Sequence, residues 1–111
     1  VDLQTEDDDV ASILVDLAMR ESTNQGKFFA NQLVDSFQRA KIKTLTRPHR
    51  HAGFAVLKAP DIPSVLIEAG FLSNRTEVKY LSSSRHRRNL SAAIKAGIDA
   101  YFNQVAKNQR I

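Results

Sequence analysis

Glu68 is the residue of this chain best placed to do chemistry. It lies in the run PSVLIEAGFLSN, Pro63 to Asn74, where Val65, Leu66 and Ile67 lead directly into a carboxylate. A carboxylate at the end of an apolar segment is a natural general acid or base, because burial nearby fixes it and tunes its proton affinity. Ala69 and Gly70 follow, small residues that leave room beside it for a substrate or another backbone. The plain alternative is a solvated glutamate closing an ordinary strand. Three histidines complete the inventory. His49 and His51 flank one residue, which on an extended chain puts two imidazoles on one side, a geometry that can bind zinc. Both lie in a basic loop with Pro48, where a solvated role suffices. His86 stands among Arg85, Arg87 and Arg88, whose charge repels a cation. None of the three is assigned as a metal ligand. Cysteine is absent, which excludes disulfides and thiolate metal sites.

Positioning Glu68 falls to elements legible from periodicity. An uninterrupted aliphatic run such as Val65 to Ile67 reads as a strand covered on both faces, as in a parallel sheet between helices. Ligands gather beyond the carboxyl ends of such strands, where Glu68 stands. Gly53 to Leu57 is a second strand candidate. Upstream, Val10, Ile13, Leu14, Leu17 and Ala18 form a helical stripe, which resumes at Phe28, Phe29, Leu33, Val34 and Phe37. This predicts one long helix from about Asp9 to Lys41, or two meeting near Gly26, since glycine inside a helix costs about 1 kcal/mol relative to alanine. Asp7 to Asp9 are placed to cap its start and complement its dipole. Asn74 with Glu77 three residues on resembles a capping box that opens a short helix to about Leu81. That cap accounts for Asn74, and a structural role is assigned to Ser73 beside it. Ser82 to Ser84 offer the cap of a last helix whose stripe is Leu90, Ile94, Gly97, Ile98, Tyr101, Phe102 and Val105; it is expected to pack on the sheet.

At 111 residues the chain makes one small domain or part of one. No apolar stretch is long enough to span a bilayer, and the acidic start is not an export signal, though a processed signal is compatible with a first residue of valine. The net charge of +4 is uneven, acidic from Asp2 to Asp9 and basic from Lys41 to Arg50 and Arg85 to Arg88. No aromatic residues interleave the basic clusters and no groove-reading motif appears, so nucleic acid is not an expected partner. Positive charge in the first turn of the last helix opposes the dipole, which admits either a solvated helix start or contact with an anionic wall polymer or membrane surface.

With these residues in place, the chain resembles the C-terminal half of the catalytic domain of zinc-dependent N-acetylmuramoyl-L-alanine amidases, in particular the cell-division amidases of Gram-negative bacteria. The family strand P-x-V-L-[IV]-E-x-G-F-[IL]-S-N reads here as PSVLIEAGFLSN without departure. The lead-in AGFAVLK-x-P-D-I-P matches Ala52 to Pro63, and A-x-x-I-x-x-G-I-x-x-Y resembles the last helix, with Ala92 or Ala93 near its first position and Ile94, Gly97, Ile98 and Tyr101 at the rest. Ile13 to Phe37 resembles the I-L-x-D-L helix of the division enzymes.

The resemblance implies an α/β fold, a mostly parallel sheet flanked by helices. This chain would supply about two strands, a long N-terminal helical segment and a C-terminal helix. Residues 1–111 would form the C-terminal half of one catalytic domain, with 1–43 helical and autoinhibitory and 52–106 carrying the catalytic strand and its packing helix. It implies hydrolysis of the amide between N-acetylmuramic acid and L-alanine in cell-wall remodelling and daughter-cell separation, in the periplasm or outside the cell. Glu68 corresponds to the family's catalytic glutamate. The family's zinc-binding histidines and first glutamate have no counterpart here, so Zn2+ would be held by ligands upstream and this chain alone would be inactive. Peptidoglycan is the implied partner, together with a protein activator that displaces the helical segment. Glu6 to Asp9, or Glu21, are candidates for an acidic side chain capping the zinc in an inhibited state; the other reading is that the aspartates only cap a helix. The alternative function is a non-catalytic module that binds peptidoglycan or a partner protein.

Overall fold

The 37 residues Leu3–Arg39 form a single helix, α1. The computed structural model describes residues 3–44 and 62–109 of the chain. Two further helices follow, α2 at Arg75–Ser82 and α3 at Ser84–Gln109. Of the two arrangements open for the front of the chain, the continuous helix is realised. It begins at Leu3 rather than at the aspartates, so Asp7 to Asp9 lie inside it instead of capping it. With the helix under way from Leu3, the aspartates lie past the first turn, where the pull of the dipole has faded. Its far end closes on Lys41, whose φ of 57° is left-handed. The Ile42 N–H donates to Phe37 O at 2.9 Å and the Lys41 N–H to Gln38 O at 3.1 Å. That pair of bonds is a Schellman closure, with lysine where glycine is usual.

α1 and α3 pack antiparallel. Tyr101 OH meets Gln25 at 3.4 Å, Ser36 Oγ donates to Ala93 O at 2.5 Å, and Asn89 Nδ2 donates to Ala40 O at 3.4 Å, so position rises along one helix as it falls along the other. Among the described residues the buried ones are Leu33, Ser36, Ala93 and Tyr101, with Gly26 and Gly97. Phe28, Phe29 and Phe102 ring Tyr101 at centroid distances of 5.8, 4.9 and 5.2 Å. Gly97 sets the interhelical spacing, since a Cβ there would stand 2.7 Å from Leu33 Cδ2 and 3.0 Å from Leu33 Cα. Small residues at 93 and 97 therefore bring the two backbones close. In front of this seam, residues 7–21 of α1 are exposed throughout, the stripe Val10, Ile13, Leu14 and Leu17 included.

The expectation of an α/β fold with about two strands is overturned. Among the described residues the architecture is all-helical, three helices and no strand. Residues 63–70 carry no regular secondary structure, and no ladder partner lies beside them among the described residues. Val65 and Ile67 are half-buried and Leu66 is 54% exposed, so only alternate side chains are covered, not both faces. α3 accordingly packs on α1 rather than on a sheet. The second strand candidate, Gly53 to Leu57, lies outside the described residues.

Candidate functional site

The segment that carries Glu68 is seated on α1 by a glycine. A Cβ on Gly26 would lie 3.1 Å from the Ser64 carbonyl oxygen and 3.5 Å from its nitrogen, so the chain crosses α1 where a side chain is missing. Gly26 therefore makes a close approach possible; it neither ends nor splits the helix. Four residues beyond the crossing, Glu68 is exposed to solvent. Gly70 follows with a φ of +156°, one that residues with side chains rarely adopt, and the chain turns at Leu72 and Ser73.

The next residues are closed by hydrogen bonds onto α2. Asn74 Oδ1 accepts the N–H groups of Thr76 at 3.0 Å and Glu77 at 3.2 Å, capping α2 as its spacing foretold. The second half of the box differs. Glu77 does not reach back to the Asn74 N–H, which instead donates to Phe71 O at 3.1 Å. The Glu77 carboxylate goes further and accepts the Phe71 N–H at 2.5 Å. This role of Glu77 is absent from the sequence reading; its signal was the acid at the third position of α2, read there only as part of a cap.

The remaining candidates are dispersed. His49 and His51 lie outside the described residues. His86 is half-buried in the first turn of α3, its N–H donating to the capping Ser83 Oγ at 3.2 Å and its ring 5.4 Å from that of Tyr80. Of the neighbouring arginines, Arg87 Nη1 donates to Leu81 O at 2.8 Å, so one charge of that basic turn closes the end of α2. Asp7, Asp8 and Asp9 are exposed on α1, and Glu21, also exposed, accepts a bond from Gln25 at 3.1 Å. Ser73 is exposed in the turn before α2. The only ion pair among the described residues is Lys95–Asp99 at 2.7 Å on the outer face of α3. The hydrogen bond to Asp99, and then its charge, raise the Lys95 pKa. No group of three or more His, Asp or Glu side chains that could hold a metal ion occurs among the described residues. No described helix is long and apolar enough to cross a membrane.

The arrangement is thus a solvent-facing carboxylate on an irregular segment, with its backbone lying close against Gly26 on one side and bonded to α2 on the other. Comparison with known proteins gives this carboxylate a context. Residues 10–100 match the family model described as N-acetylmuramoyl-L-alanine amidase. The chain is 40% identical over 91 residues to the probable N-acetylmuramoyl-L-alanine amidase AmiB of Haemophilus influenzae, covering 81% of this chain and 21% of that protein. It is 41% identical over 87 residues to the N-acetylmuramoyl-L-alanine amidase AmiC of Escherichia coli O6:H1, covering 78% and 19%. With the probable cell wall amidase LytH of Staphylococcus saprophyticus it shares 33% over 78 residues, covering 70% and 26%. The chain spans about a fifth of the length of the first two relatives. No solved structure matches it. With the family match running from the exposed stripe of α1, past Glu68, to the packed face of α3, this chain belongs to the N-acetylmuramoyl-L-alanine amidase family.

Proposed function

We propose that the protein to which this chain belongs hydrolyses the amide between the lactyl group of N-acetylmuramic acid and L-alanine in peptidoglycan, with Glu68 as general base. The observation that carries this reading is the intact PSVLIEAGFLSN segment, whose one carboxylate faces solvent from a backbone held on both sides, in a chain of the amidase family. An amide resists attack by neutral water, so a positioned base that takes the proton from the attacking water contributes directly to the barrier. The same carboxyl group, once protonated, returns that proton to the departing amine as the carbon–nitrogen bond breaks. Gly70 leaves the space beside Glu68 free of a side chain.

The family resemblance implies zinc, but the described residues do not make a site for it, since no cluster of three ligating side chains converges among them. We place its ligands in other parts of the protein, and the role of Glu68 is stated without it. Extracytoplasmic action on the cell wall, in remodelling and daughter-cell separation, follows from the substrate.

A second element of the proposal concerns α1. Its front half exposes Val10, Ile13, Leu14 and Leu17, an apolar face that nothing covers among the described residues. This supports an inhibitory segment that an activator protein displaces. Removal of residues 1–20 from the complete enzyme should then raise its basal activity; unchanged or lower activity with an intact fold would count against inhibition.

The test of the main reading is Glu68→Gln in the complete protein, assayed for peptide release from purified sacculi. Loss of release with metal content retained is the expected result. Release at the wild-type rate would remove Glu68 from the mechanism. A complete protein that binds sacculi but releases nothing, even unmutated, would instead support a binding module.

A further inference from the structure

Glu77 is half-buried on α2, and its carboxylate leaves its own helix to accept the Phe71 N–H at 2.5 Å. The Phe71 carbonyl is also engaged, by the Asn74 N–H at 3.1 Å. Both backbone groups of the residue three places after Glu68 are therefore committed. Gly70 is pressed onto the same surface, for a Cβ there would stand 3.4 Å from Glu77 Cβ and 3.3 Å from Leu81 Cδ1. Residues 74, 77 and 81 share one face of α2 by their spacing, so this short helix presents a single surface to the turn.

Capping does not account for that carboxylate. Asn74 alone takes the N–H groups of Thr76 and Glu77, so α2 keeps its cap without it. Meanwhile nothing among the described residues hydrogen-bonds the Glu68 carboxylate, and its position is set by its backbone. On the upstream side that backbone rests on Gly26, and on the downstream side it is tied by Glu77.

We infer that Glu77 is a positioning residue for Glu68, holding Phe71 at the start of the turn into α2 so that the catalytic carboxylate keeps one orientation. The inference rests on the reading of Glu68 as general base. It touches neither substrate nor reacting atoms; it acts through the Phe71 N–H. Small displacements of a catalytic group cost rate steeply, while substrate binding made elsewhere is little affected.

The experiment compares Glu77→Ala, Glu77→Gln and Glu68→Gln in the complete protein, with kcat and KM on a soluble muramoyl peptide. Amide hydrogen exchange at Phe71 is followed in the same proteins. Glu77→Ala should lower kcat by about ten- to a hundredfold with KM within about twofold, and should speed exchange at Phe71. Glu77→Gln, whose amide oxygen accepts the same N–H, should restore kcat to within about threefold and slow exchange again. Wild-type kcat in Glu77→Ala, or equal losses in the alanine and glutamine variants, would overturn the inference. If Glu68→Gln is inactive while Glu77→Ala is fully active, only the positioning role fails. If Glu68→Gln itself is active, the reading of Glu68 fails and the inference with it.

Discussion

The bare Cα of Gly26 faces the carbonyl of Ser64, at a distance where an added Cβ would sit 3.1 Å from that oxygen. One glycine thereby couples the long helix to the segment that ends in Glu68. Two opposing effects meet there. Alanine in a helix interior is favoured over glycine by about 1 kcal/mol, while a methyl group at this spot pushes on backbone rather than on a yielding side chain. The segment around Ser64 is held by no ladder among the described residues, so it is the partner that moves. Gly26→Ala is therefore expected to leave thermal stability equal or slightly raised while lowering catalytic activity of the complete protein. Circular dichroism melts and sacculus assays on the same variant check it; a stability loss above about 2 kcal/mol would show that the segment cannot yield.

Gly97 sits in the opposite situation. Its neighbour is Leu33, buried in the seam, and an added Cβ would stand 3.0 Å from the Leu33 Cα. Here relief requires the two helices to move apart, which opens the packing of Leu33, Ala93 and Tyr101. Gly97→Ala should destabilise by about 1 kcal/mol net of its gain in helix propensity, and Gly97→Val by about 2–3 kcal/mol. Urea unfolding of the 111-residue chain measures both.

Helix and strand were not equally legible. The stripes of α1 and α3 were readable because helical hydrogen bonds are local and the apolar spacing repeats within a few residues. Asn74 was readable as a cap for the same reason. The Val65 to Ile67 run reads as a strand from its aliphatic residues, but a sheet is made by hydrogen bonds to a distant segment, and three aliphatic residues carry no information on whether that partner lies alongside. Leu66 shows the consequence, exposed where a doubly covered strand would bury it. Glu68 was legible as a chemical type and as part of a motif. The support from Gly26 and Glu77 was not, because one depends on a contact with Ser64 far along the chain and the other on a side chain that bypasses its expected capping partner.

Lys41 occupies a left-handed position without the freedom of glycine. An L side chain in that region costs about 1–2 kcal/mol, partly offset because glycine has more freedom to lose on folding. Lys41→Gly should raise stability by about 0.5–1 kcal/mol, read as a higher urea midpoint with an unchanged slope. A decrease would mean that the lysine charge at the end of α1 outweighs the strain.

Exposure divides α1 into unequal halves. Leu14→Ser and Leu17→Ser, on the open stripe, should each change the stability of the 111-residue chain by less than about 0.5 kcal/mol. Leu33→Ala, in the seam, should cost about 2–5 kcal/mol. Similar losses at all three positions, followed by equilibrium unfolding, would reveal that the front half has a partner after all.

The unequal halves also give α1, among the described residues, the mechanics of a lever gripped along its second half. Its hold on α3 begins near Gln25, and about 20 residues run ahead of that clamp, roughly 30 Å at the helical rise. A rotation of about 10° at the seam would carry the tip through about 5 Å, the length of one helical turn. Because Gly26 lies at the fulcrum and also bears the Ser64 backbone, a load applied to the distant tip is delivered as torque at the foot of the segment that holds Glu68.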